Sequence, residues 1–151
     1  MVLINSRIPG VVTNVKYEMQ LITEVDLMSK VKLEIWGRPF ELSVIYDKCT
    51  GEEILESQKS AAEEFFEAAP YDQAKSKVEK YIEKQNKDKL PQTGVDNIFK
   101  YVMPKSIYVL RDSKVGDVAI LCNYKFDMEH GLALIFSKGT LKSIDAQDSV
   151  L

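Results

Sequence analysis

The chain has 151 residues, 45% of them apolar and 28% charged, with a formal net charge of −3 at pH 7, which is the balance of an ordinary globular domain. A chain of this length buries about 68–70% of its unfolded surface, so it needs no disulfide or metal staple to hold a core. The slight acidity argues against nucleic-acid binding by phosphate neutralisation, which asks for a basic surface.

The first residues, MVLINSRIPGVVTNVKYEM, show no cationic start followed by a long apolar core, so no secretory leader is expected. No stretch approaches the roughly 18 apolar residues of a membrane span, and the expected setting is cytoplasmic, without membrane or nucleic-acid partners. Up to about residue 28 the sequence is strand-prone but irregular, with Val11, Val12, Val15, Tyr17, Met19, Leu21 and Ile22 after a turn at Pro9-Gly10. Val31, Leu33 and Ile35 then alternate with Lys32 and Glu34, and Phe40, Leu42, Val44 and Tyr46 alternate with Glu41, Ser43 and Ile45. Period two on both sides of Trp36-Gly37-Arg38-Pro39 predicts a hairpin with one face on a core. Pro39 cannot donate to a ladder and belongs at the turn or a strand end.

Beyond Asp47–Gly51 the period changes. Ile54, Ala61, Phe65 and Ala68 share one helical face beside Leu55, Ala62, Phe66 and Ala69, and Ser57 or Ser60, the latter with Glu63, offers a cap. Pro70 stops or kinks this helix. A second follows on Ala74, Val78, Tyr81 and Ile82, with Lys75, Lys77, Glu79, Lys80, Glu83 and Lys84 on a solvated face. Residues 85–94 read as a polar loop, 95–100 as a short helical turn, and strands are expected near 102–111, 117–126, 131–137 and 140–145. The runs 118–126 and 132–136 are apolar at nearly every position, the pattern of strands covered on both faces. The order strands–helix–helix–strands predicts one α+β domain over 1–151, with an antiparallel sheet and both helices packed on one side.

Chemistry-bearing residues concentrate in Asp127-Met128-Glu129-His130-Gly131, which holds the single histidine. Two carboxylates and an imidazole could supply a general acid and base, or, joined by Asp112 or Asp117, hold a hard cation weakly. They serve equally as a polar hairpin loop in which Asp127 bonds turn amides and Gly131 takes a positive φ. Trp36 and Arg38 at the hairpin tip are the residue types that dominate interface hot spots, or Trp36 caps the core. Asp145-Ala146-Gln147-Asp148 is a third candidate against a solvated chain end. Cys49 and Cys122 lie far apart in no ligand pattern and are expected as reduced, inert thiols. No P-loop, GxGxxG or GxSxG is present. No catalytic residue, metal or cofactor is assigned.

The block Asp127, Glu129, His130, Gly131, the run Leu132–Phe136, Gly139, Ile144, Gln147 and Asp148 resembles the C-terminal pattern of a family of small bacterial proteins carrying a domain of unknown function. Gln58, Ala61, Ala62 and Phe65 are similar to that family's first-helix pattern, and the likeness covers residues 30–151. The resemblance implies no activity; proteins of this type are similar to immunity or accessory proteins encoded beside bacterial toxins. The expectation is a non-enzymatic protein-binding domain contacting another protein, such as a toxin, through Asp127, Glu129, His130, Trp36 and Arg38. The rival is a small hydrolase or metal-dependent enzyme using Asp127, Glu129 and His130 in a concave pocket.

Overall fold

Among the described residues, seven strands stand in chain order in one sheet, and the alternating apolar residues on either side of Trp36-Gly37 form a hairpin within it. The structure, a computed structural model, describes residues 17–21, 29–48, 51–111 and 116–147. The strands are β1 (Tyr17–Leu21), β2 (Ser29–Ile35), β3 (Arg38–Tyr46), β4 (Val102–Val109), β5 (Asp117–Tyr124), β6 (Leu132–Ser137) and β7 (Thr140–Asp145). The predicted strand and turn near Val11, Val12, Val15, Pro9 and Gly10, together with Ile22, lie outside the described residues.

The sheet departs from the expected all-antiparallel pattern at one place, where β3 and β4 run parallel, Ser43 to Tyr46 beside Ser106 to Val109. Parallel neighbours need a crossover of a dozen or more residues. Here it contains α1 (Glu56–Ala68) and α2 (Tyr71–Gln85). The remaining neighbouring pairs are antiparallel.

The helices lie on one face. Phe65 packs at 5.4 Å on Phe136 of β6 and at 5.4 Å on Tyr71, and Val78 and Ile82 are buried with Val44, Ile107, Ile120 and Leu134. In β2, Val31, Leu33 and Ile35 are buried while Lys32 and Glu34 are exposed. β5 and β6 are buried on both faces, with Ala119, Leu121, Ala133 and Ile135 clustering beside Leu110 on the side away from the helices.

The α1 start corrects the expected cap. The helix opens at Glu56 with Leu55 as N-cap, leaving Ser57 and Ser60 inside it. Leucine has no side-chain acceptor; instead Gln58 Oε1 accepts the Leu55 N–H at 3.0 Å, the return half of a capping box. Ala68 is exposed rather than core-facing, because the helix ends there and Ala69 (φ +46°) turns inward. Pro70 then leads into α2 at once.

Gln58 is fully buried. Its Nε2 donates to the Asp47 carbonyl at 2.9 Å and the Val109 carbonyl at 3.3 Å, and Oε1 also lies 3.4 Å from an Arg111 guanidinium nitrogen. One carboxamide therefore ties the helix start to the ends of both parallel strands. Gln58→Leu keeps the bulk but removes the side-chain partner of the Leu55 N–H and of the Asp47 carbonyl, and leaves the Val109 carbonyl with the Asp47 N–H alone; a buried polar group left unpaired costs about 1–3 kcal/mol. The expected result is a loss of roughly 2–3 kcal/mol in urea denaturation with an unchanged m value.

Candidate functional site

The Asp127–Gly131 turn joins the two strands that are buried on both faces. Its backbone is held by short-range bonds: the Asp127 N–H donates to the Tyr124 carbonyl (3.1 Å), and the Gly131 N–H to the Asp127 carbonyl (2.9 Å). Asp127 Oδ1 accepts the His130 backbone N–H at 3.1 Å, the local side-chain bond that suits aspartate to turns. The His130 ring Nδ1 lies 3.1 Å from each Asp127 carboxylate oxygen.

Gly131 takes φ +63°, and its missing Cβ leaves the path for Gln147. A Cβ there would stand 2.4 Å from Gln147 Nε2 and 2.6 Å from the Cys122 carbonyl oxygen. Through that gap Gln147 Nε2 donates to the Cys122 carbonyl at 2.8 Å, while the Gln147 backbone N–H donates to the His130 carbonyl at 3.2 Å.

Hydrogen bonding decides the local electrostatics. The His130 N–H holds the Asp127 carboxyl below its usual range, with the imidazole bond and its charge adding in the same direction. The Asp127 and His130 side chains are 43% and 48% exposed, so water screens the pair and its ionic part is weak. Beneath the turn, burial first and then the Asp145 and Asp127 carboxylates raise the Tyr81 phenol. Tyr124, raised chiefly by burial, accepts from Asn86 Nδ2 at 2.7 Å. Met128, Glu129 and His130 face solvent, Met128 at 70%.

The oxygen ligands considered for a cation do not converge. Asp117 starts β5 at the end opposite Tyr124, roughly 23 Å along the strand at about 3.3 Å per residue. There its carboxylate accepts from Lys142 Nζ at 2.8 Å. Asp112 lies outside the described residues. Among those described, no group of three or more His, Cys, Asp or Glu side chains is placed to hold a metal. Cys122 is buried and unpaired, and burial pushes its thiol far up, away from the reactive thiolate form; Cys49 lies outside the described residues. No described helix is long and apolar enough to cross a membrane.

At the other candidate, the connection is a two-residue turn, Trp36 (φ +52°) and Gly37 (φ +81°), so Arg38 and Pro39 already belong to β3. Trp36 is 9% exposed and its indole N–H donates to the Tyr71 carbonyl at 2.7 Å. Its side chain thus braces the tip on α2 from inside. Arg38 is exposed, with its guanidinium 5.0 Å from the Phe99 ring centre.

The strand directions bring these separate stretches to one end of the sheet. β3 and β4 both start there, and Val102 of β4 pairs with Tyr124 of β5. Phe99 touches both Trp36 (5.8 Å) and Phe40 (5.6 Å) beside the tip, and the stacked Tyr101 and Phe126 rings (5.5 Å) lie beside the turn. Sequence reasoning names Asp127, Glu129 and His130 but not Met128 or this ring series. The signal for Met128 was an apolar side chain inside an otherwise polar turn; the rings carry no periodic signal, since Phe99 and Tyr101 precede β4 and Phe126 follows β5. In the C-terminal candidate, Asp145 is exposed and Gln147 serves as a clasp, while Asp148 lies outside the described residues.

The profile of a protein family described as Domain of unknown function (DUF6985) matches residues 12–151, and the chain belongs to that family. The match reaches well before residue 30, so β1 is part of the family's domain. No curated protein and no solved structure matches the chain.

Gly131→Ala places a methyl against backbone and amide at a positive φ, and should cost roughly 1–3 kcal/mol in thermal or urea unfolding. The pH response of the turn has a defined sign. Asp127 is lowered in the fold, so its contribution is present above the unfolded carboxylate value of about 3.9 and is lost as pH falls through the lowered folded value. The His130 amide resonance should therefore titrate below about pH 3.9, and Asp127→Asn should abolish that step.

Proposed function

We propose that this member of the family works by docking another protein on the sheet end that carries the Asp127–Gly131 turn. The observation that carries this reading is Met128, a large apolar side chain 70% exposed on a turn whose backbone is fixed by its neighbours. A flexible thioether suits varied apolar pockets, and a fixed backbone lowers the ordering cost of binding. Glu129 and His130 flank it with polar contacts. Arg38 contributes at the tip, where Trp36 acts as a brace from within.

The partner class we propose is a bacterial toxin, with the domain as its immunity or accessory protein in the cytoplasm. That extension rests on the sequence resemblance alone. The enzyme reading gains no support, because a catalytic site needs convergent groups facing a concavity. The open groove of about 800 Å³ beside α1 is lined by Ser60, Glu63, Glu64, Glu67 and Lys138, none of them in the turn.

The test is affinity capture by the tagged chain from its native cells, with Met128→Glu and His130→Ala as controls. Surface changes of this kind alter stability by less than about 0.5 kcal/mol, so both variants should melt like the parent. They should lose a partner that the parent retains at one-to-one stoichiometry. Equal retention by both variants would place the contact elsewhere.

A further inference from the structure

We infer that Gln147 is a positioning residue for the docking turn, a strap from beyond β7 that fixes the direction of His130 and its neighbours. This rests on the docking reading above and adds to it a residue that need not touch the partner.

Asp127, His130 and Gly131 bond within the turn and to Tyr124, and ahead of them the Lys125 N–H donates to the Tyr101 carbonyl at 2.8 Å, which ties the entering side to the stretch before β4. Gln147 ties the leaving side twice. Its backbone N–H reaches the His130 carbonyl at 3.2 Å, and its side-chain amide reaches the Cys122 carbonyl at 2.8 Å. Cys122 faces Leu132 in the last residue pair of the β5–β6 ladder. The carboxamide therefore satisfies a carbonyl at the point where the ladder runs out.

Gly131 makes the crossing possible, because a Cβ would collide with the amide nitrogen and with the Cys122 carbonyl together. The result is that both backbone polar groups of His130 are committed, the N–H to Asp127 and the carbonyl to Gln147. Holding both backbone groups fixes the His130 backbone, and with it the direction in which its Cα–Cβ bond leaves the turn.

Amide exchange measured residue by residue separates this role from general stabilisation. In Gln147→Ala the His130 and Gly131 amides should exchange about tenfold faster, the factor that corresponds to about 1.4 kcal/mol of local opening. Ile120 and Leu134, in the doubly buried strands, should keep the parent's rates. Gln147→Glu retains the length and the backbone bond but replaces the donor by an acceptor, and should loosen the turn equally.

Unchanged turn amides in either variant, or a uniform rise through β5 and β6, would overturn the inference. So would undiminished affinity for the captured partner in a variant whose turn has loosened; the expected loss is about tenfold. If the parent chain captures nothing, the docking reading fails by itself, and the exchange rates still decide whether Gln147 holds the turn.

Discussion

The buried Gln58 carboxamide joins the start of α1 to the carbonyls of Asp47 and Val109, at the ends of the one parallel strand pair described. Parallel pairing requires the chain to return to its starting end between the strands, and the return here is the helical layer itself. Gln58 thereby sets where that layer starts relative to the two strand ends. A carboxamide suits this junction because it offers donors and an acceptor at once; an aliphatic side chain of the same size would take this donor from the Asp47 carbonyl and leave the Val109 carbonyl with the Asp47 N–H alone. The Asp47 N–H bond to the Val109 carbonyl (2.9 Å) lies in the same junction, so the helix start and the strand ends form as one unit.

A second carboxamide does related work at the opposite end of β5. Gln147 satisfies the Cys122 carbonyl as Gln58 satisfies those of Asp47 and Val109. Both residues belong to the pattern by which the sequence resembles its family, and most of that pattern proves to be scaffold. Ala61, Ala62 and Phe65 form the buried face of α1, Gly131 opens the path of the strap, and Phe136 meets Phe65 across the core. Asp127 stabilises its own turn. A sequence pattern composed of such positions identifies a fold and says little about chemistry. That is why the resemblance brought no activity with it, while the architecture was read from periodicity and element order.

Period and punctuation made the elements legible. The alternation of Val31, Leu33 and Ile35 and the unbroken apolar runs of β5 and β6 correspond to one-faced and two-faced burial. Pro70 marked the helix junction, and the last hairpin falls between the two strands expected near 131–137 and 140–145, where Lys138 and Gly139 both take positive φ. The parallel pair was not legible, since direction depends on how the helices return the chain and leaves no mark in the periodicity of β3 or β4. The cap was not legible either: Ser57 and Ser60 are better caps than Leu55 by intrinsic preference, and the burial of Gln58 overrode it. Trp36 could be read from the sequence as an interface residue or as a cap on the core; at φ +52° its side chain folds back over the sheet end to reach Tyr71, the capping arrangement. The candidate residues themselves were visible as residues; their meeting at one end of the sheet follows from strand direction alone.

The location of the turn gives its exposed side chains their physical character. A polar turn between strands exposed on one face can shift with them, and its residues pay an ordering cost on binding. β5 and β6 are buried on both faces, so displacement of their connection would disturb close-packed groups on both sides. Met128, Glu129 and His130 thus connect two strands packed on both faces while remaining exposed. Asp127 fixes one side of His130 and Gln147 the other, and Gly131 provides the space that the arrangement requires.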